Sequence, residues 1–269
     1  MKINVFGDWV QGVAHLRNGI EWQDHYRKID YIKGVYIVAV ADGHGSDKCP
    51  YSSEGSRVAT KVFCNLMADY YKNYDDTDVL KSFLNREGDT KVALEIEREW
   101  KREIRELHLR EKRLIASEDE IYILYGTTLL GTMIFDNCVF TFQIGDGNIA
   151  YADAGNVYDI SEADDLASKD KPLGVETHSL SGNNCWKHAI TGVNSIDETN
   201  TPVMYMLSTD GMLNSHASHK EFLRTVRDYY ELINVHGIKT IKNHLRTWLT
   251  ETSEGGCGDD ITVMFIYMN

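Results

Sequence analysis

Aspartates placed at the ends of very apolar runs are the part of this sequence best suited to chemistry. Asp42 follows Val35–Ala41 and opens Asp42-Gly43-His44-Gly45. Asp146 follows Val139–Ile144 within Gly145-Asp146-Gly147, and Asp210 closes Val203–Ser208 within Ser208-Thr209-Asp210-Gly211. Asp259 and Asp260 stand just before Ile261–Tyr267, and Asp24 lies in Trp22-Gln23-Asp24-His25. A carboxylate beside a buried strand must be neutralised or paired. Several that converge repel one another, and none of these motifs contains the arginine or lysine that would offset them. A divalent cation resolves both problems. Donors that are all oxygen favour hard ions such as Mg²⁺ or Mn²⁺ over zinc. The adjoining glycines allow the backbone to turn sharply and approach a ligand, and the Gly43 carbonyl is itself a candidate donor. Taken singly, Asp-Gly at a strand end is most often a turn. The joint order of the motifs is what points to a metal centre.

The elements that must carry these motifs alternate between helical and extended patterns. Val35–Ala41, Val203–Ser208 and Ile261–Tyr267 are continuous apolar runs and predict buried strands. Short strands are predicted over Gly126–Phe135, Val139–Ile144, Asn148–Tyr151 and Val157–Ile160, with turns at Asp136-Asn137 and Asp153–Asn156, and another over Trp186–Val193. Val58, Val62, Leu66 and Tyr70 fall at four-residue steps, so Ser52–Tyr74 predicts a helix capped by Ser52 or Ser53. Thr77–Asn85, Lys220–Ile233 and Ile238–Thr250 predict further helices. Asp89–Ala116 predicts a long, charged one with a narrow stripe of Val92, Ile96, Trp100, Ile104 and Leu107; a solvated surface helix is favoured there over a partner-binding one. Helices in blocks between runs of antiparallel strands indicate the α+β class.

The whole chain sets bounds. Its 269 residues, with only three prolines and no repeat, suit a single domain over 1–269. The net charge of −13 disfavours nucleic acid, which needs cationic side chains to displace its counterions, and disfavours a polybasic membrane contact. No apolar stretch approaches the roughly 20 residues of a spanning helix, and the first residues lack the apolar region of a signal peptide, so a cytoplasmic location is expected. The five cysteines are scattered without a CxxC, which predicts reduced thiols and gives no support to a zinc site.

The order Gln23-Asp24, Asp42-Gly43-His44-Gly45-Ser46, Gly126-Thr127-Thr128-Leu129, Gly145-Asp146-Gly147, Ser208-Thr209-Asp210-Gly211 and Gly258-Asp259-Asp260-Ile261-Thr262 resembles the protein phosphatase 2C family, from Gly12 to Tyr267. Gly12-Val13-Ala14-His15 with Gln23-Asp24 resembles a bacterial branch of it; Gly19 occupies the position of an arginine in the better-known pattern. The resemblance implies a four-layer αββα sandwich, two central antiparallel sheets flanked by helices. It implies two divalent cations, Mn²⁺ or Mg²⁺, with Asp42 bridging both, Asp210 and Asp259 holding one, the Gly43 carbonyl helping to hold the other, and Asp24 acting through water. Asp146 matches a position linked to a third, weaker metal site. Asp260 stands where the family usually has asparagine, and its role is open.

The activity so implied is hydrolysis of phosphoserine and phosphothreonine in proteins by direct attack of a metal-bridging hydroxide, with His44 the candidate proton donor to the leaving group and His15 the candidate substitute for the phosphate-binding arginine. No cysteine lies in a phosphate-cradling loop, so no covalent phosphoenzyme is required. A phosphoprotein and a cognate Ser/Thr kinase are the partners this implies. Two alternatives stand beside it: an inactive phosphatase-fold binding module, against which the retained aspartates argue, and a metal-dependent phosphoester hydrolase for a small molecule.

Overall fold

The structure, a computed structural model, describes residues 1–114, 117–160 and 178–269. Its strands are β1 (Ile3–Val10), β2 (His25–Ile32), β3 (Val35–Ala41), β4 (Leu129–Phe135), β5 (Cys138–Ile144), β6 (Asn148–Ala152), β7 (Val157–Asp159), β8 (Ile190–Ser195), β9 (Val203–Ser208) and β10 (Ile261–Met268). Its α-helices are α1 (Val13–Asn18), α2 (Ser52–Asn73), α3 (Thr77–Glu87), α4 (Ala93–Arg110), α5 (Glu118–Ile123), α6 (Asp210–Asn214), α7 (His219–His236) and α8 (Ile238–Gly255). The described residues form two compact units: 23–146 with 178–195, here the Asp42 unit, and 1–22 with 147–160 and 196–269, the Asp210 unit.

In the Asp42 unit, strands pair antiparallel in the order β2-β3-β4-β5-β8. Helix α2 lies against β2, β3 and β4, and its Phe63 ring packs on Phe142 at a centroid distance of 5.9 Å. Helix α4 is anchored on α2 by the fully buried Trp100, whose Nε1 donates to the Gly55 carbonyl at 3.1 Å. The apolar stripe read from the sequence is buried: Val92, Ile96, Trp100, Ile104 and Leu107 all lie in this core. The helix itself starts later than its pattern suggests, because Gly88–Val92 forms a π-helical turn ahead of Ala93. Its expected end at Ala116 lies outside the described residues.

In the Asp210 unit, the order is β1-β10-β9-β6-β7, again antiparallel. Helices α7 and α8 supply Phe222, Val226, Ile233, Ile241, Leu245 and Leu249 to a core that includes Phe265 and Met206 from the sheet. Every residue of β9 and β10 is buried, which explains their unbroken apolar sequences.

Several expectations are corrected. Neither Ser52 nor Ser53 caps α2: Tyr51 is the N-cap, with no side-chain capping bond, and Ser52 is drawn into the first turn and buried. The strand expected over Trp186–Val193 is split into a 3₁₀ turn, Cys185–His188, and β8. Residues 126–128 precede β4 rather than opening it, Thr127 forming an isolated bridge to Gly43 instead. Strands β1 and β2 and the short helices α1 and α5 add to what periodicity predicted.

Candidate functional site

The Asp42 unit gathers one set of the expected residues at the end of β3. The Asp42 carbonyl accepts the Thr127 hydroxyl at 2.7 Å and the Thr128 N–H at 2.8 Å, while the Asp42 N–H donates to Thr128 Oγ1 at 3.0 Å. The Gly-Thr-Thr motif thus clamps the backbone that presents this carboxylate. His44 is fixed by its N–H to the Gly126 carbonyl at 3.1 Å. Gly43 is pressed so closely on the backbones of Gln23 and Ser52 that a Cβ would lie 2.8 Å from the carbonyl oxygens of both. This places Gln23-Asp24 beside the Asp-Gly-His-Gly turn. The Gln23 carbonyl is held in turn by the Ser56 hydroxyl at 2.6 Å. Asp24 is buried, Asp42 is half-buried and Asp146 is exposed.

Electrostatics in this set keep its imidazoles neutral. Burial, with Arg57 and Arg27 adding repulsion, pushes His25 down to about 4. Burial also lowers His44 below the ordinary imidazole value, while the Asp146 carboxylate pulls the other way.

The Asp210 unit gathers the second set. Strands β9 and β10 are neighbours, and beyond their register the Thr209 N–H donates to the Thr262 carbonyl at 3.1 Å and the Thr262 N–H to Thr209 Oγ1 at 3.0 Å. Asp210 then opens α6, and Asn214 Nδ2 donates to its Oδ2 at 2.9 Å. Gly211 packs on the next segment so tightly that a Cβ there would lie 2.1 Å from the Asp260 carbonyl oxygen and 3.4 Å from Asp259 Cβ. Asp259 Oδ1 accepts the Asp260 N–H at 2.8 Å and faces His15 Nε2 at 3.3 Å. Asp260, buried, turns Oδ1 to the Gly12 N–H at 2.7 Å and to His15 Nδ1 at 3.0 Å. Ser253 Oγ ties the Asp259 carbonyl at 3.1 Å and accepts the Val13 N–H at 3.3 Å. Gly19, at the position of the family's arginine, is exposed at the C-cap of α1.

Sequence reasoning named the acidic residues but not what fixes them. Gly12, Ser56 and Ser253 carried no signal, because their partners are remote in the chain; Gly12 and Asp260 are 248 residues apart. Among the described residues, no three or more His, Cys, Asp or Glu side chains are already grouped to hold a metal ion. The donors nonetheless suit a hard divalent cation. They are carboxylates and a carbonyl, and Asp259 has one oxygen fixed while its side chain stays 43% exposed.

A family profile described as Protein phosphatase 2C matches residues 11–250. No curated protein matches significantly. Among solved structures, the chain is similar to a serine/threonine phosphatase of S. agalactiae, at 17% identity over 100% of both chains, TM-score 0.63. It is similar to the catalytic domain of the serine/threonine protein phosphatase PstP, solved with two manganese ions, at 14% identity over 98% of this chain and 97% of that one, TM-score 0.60. It is also similar to RsbX, solved with magnesium, at 14% identity over 99% and 96%, TM-score 0.55. At such identities the likeness is one of fold, and it agrees with the expected α+β class of two antiparallel sheets with flanking helices.

Proposed function

The chain belongs to the protein phosphatase 2C family, and we propose that it is a metal-dependent phosphatase acting on phosphoserine and phosphothreonine in proteins. The observation that carries this reading is the family match over residues 11–250 in a chain that keeps an aspartate in each of its motifs. The match spans stretches of both units, which supports a single catalytic domain over 1–269.

Asp42, Asp210 and Asp259, with the Gly43 carbonyl and Asp24, are the groups that would hold two Mn²⁺ or Mg²⁺ ions, and Asp146 would serve a third, weaker site. When bound, such ions supply an activated water nucleophile and offset charge on phosphoryl oxygens. The protein's part is positioning. The Thr127 and Thr128 clamp fixes Asp42, Ser56 fixes the segment that leads into Asp24, and the Asp260 N–H fixes Asp259. His44 would give a proton to the departing alkoxide. Its lowered basicity leaves it mainly neutral near pH 7, which favours the lesser duty of orienting a water. Phosphate binding by His15 has to compete with the two carboxylates already on its ring. A phosphoprotein, and a kinase that this enzyme opposes, are the partners proposed; among the described residues no helix is long and apolar enough to cross a membrane.

Phosphate release from a phosphothreonine peptide tests the reading. Release is expected to require added Mn²⁺ or Mg²⁺, to stop with a chelator, and to fall at least about a hundredfold in Asp42→Asn, on the scale of losing a main electrostatic stabiliser. Full activity in that variant would remove Asp42 from the centre. Metal-dependent hydrolysis of small phosphoesters with none of the phosphopeptide would favour the small-molecule alternative, and metal binding without turnover would favour the inactive module.

A further inference from the structure

Asp260 is the acidic residue to which the family pattern gives no duty, and it is the most confined of the group. Its side chain is 3% exposed, and a carboxylate at that depth needs partners that donate. Two are in place on the same oxygen: the Gly12 N–H at 2.7 Å and His15 Nδ1 at 3.0 Å. An ionised carboxylate can only accept, so Asp260 fixes Nδ1 as the donor nitrogen and leaves Nε2 as the atom turned toward Asp259. Nε2 lies 3.3 Å from Asp259 Oδ1, the oxygen that also takes the Asp260 N–H at 2.8 Å. The three side chains form a line, Asp260 to His15 to Asp259, which begins in the interior and ends on a carboxylate 43% exposed.

We propose that Asp260 is a positioning residue that acts through His15 to hold Asp259 ready for a divalent cation. The inference rests on the reading of Asp259 as a metal ligand. It makes His15 a support for a ligand rather than a hand on phosphate. It also gives a reason for aspartate where asparagine is usual, because only the carboxylate is unable to turn a donor toward the imidazole and misdirect it. Groups that orient a metal-holding carboxylate are worth roughly 10–100-fold in metal affinity.

Two measurements on the full chain test this. In metal-free protein labelled with ¹⁵N-histidine, the Nδ1–H resonance of His15 is expected to be protected from exchange in the native chain and to exchange away in Asp260→Asn, with the fold checked by circular dichroism. By calorimetry, the Mn²⁺ dissociation constant is expected to rise about tenfold in Asp260→Asn, to rise similarly in His15→Ala, and to rise no further in the double variant. KM for a phosphopeptide at saturating Mn²⁺ should stay within about twofold in His15→Ala, since uniform substrate binding is untouched. An unchanged Nδ1–H signal in Asp260→Asn overturns the proposal, and so do effects that add in the double variant, which would mean that Asp260 acts independently of His15. So does a raised KM with unaltered Mn²⁺ affinity, which would return His15 to phosphate. If native protein binds no Mn²⁺, the metal reading itself falls, while the resonance still decides whether Asp260 fixes the ring.

Discussion

His44 is the residue on which the fate of the leaving group turns. Proton donation matters most when the departing oxygen is a poor leaving group, as the alkoxide of serine or threonine is, and least for p-nitrophenolate. If His44 is the donor, His44→Ala should lower kcat on a phosphothreonine peptide by about 10²–10⁴-fold, the usual worth of general acid catalysis, and leave p-nitrophenyl phosphate hydrolysis nearly intact. Equal losses on both substrates would assign it to orienting water instead. Gly211 gives a second residue-level expectation. Its backbone meets the Asp260 carbonyl with no space for a methyl group, so Gly211→Ala must displace the segment bearing Asp259 and Asp260. Overpacking of this kind costs roughly 1–3 kcal/mol, and a lowered urea midpoint together with weakened Mn²⁺ binding is the expected outcome. A variant matching the native chain in both would show that the segment yields freely.

Among the elements, α4 depends on a buried charge. Glu97 accepts from Lys101 Nζ at 2.6 Å and from the Trp186 N–H at 3.0 Å, tying the helix to the turn Cys185–His188. Burial pushes this carboxyl up, yet the lysine, the Trp186 N–H and the Cys185 thiol together bring it below its ordinary value. A carboxyl depressed by folding adds stability above its unfolded pKa of about 4.3 and loses it as pH falls through the lower folded value. Glu97→Gln should therefore unfold at lower urea concentration than the native chain at pH 7, and the gap should close on acidification. A gap constant from pH 7 to pH 3 would contradict this. The same scale shows what the sequence reveals. Strands β3, β9 and β10 are buried along almost their whole length, so their runs are apolar and legible. Strand β2 carries exposed Arg27, Lys28 and Asp30, and β1 has Gly7-Asp8 at its middle. Each lies at the end of its sheet's strand order and owes its extended form to pairing rather than composition. The acidic residues of the candidate site were legible because they stop apolar runs; the clamps at Gly12, Ser56 and Ser253 were not, because a hydrogen bond to a distant partner leaves no periodicity behind.

For the molecule as a whole, 41 acidic residues against 28 basic ones mean self-repulsion in the folded state, which bound divalent cations would relieve. A ligand that binds only the native form adds about 2.7 kcal/mol at a hundred times its dissociation constant. For a chain of this size, that corresponds to a rise in Tm of roughly 5–10 °C. Calorimetric scans with and without Mn²⁺ should show this rise in the native chain and a much smaller one in Asp42→Asn; equal rises in both would point to binding away from the proposed ligands. The pairing of β1 with β10 bears on a different matter, the order of biogenesis. The Asp42 unit draws β2, β3, β4 and β5 from neighbouring stretches, joined by antiparallel ladders, whereas β1 must wait for nearly the whole chain to leave the ribosome before its only ladder can close. Loop closure over such a span is slow and offers no early reward. During vectorial synthesis, the segment of Asp259 and Asp260 is therefore among the last to be seated, and the nascent polypeptide carries no complete acidic centre until translation has all but finished.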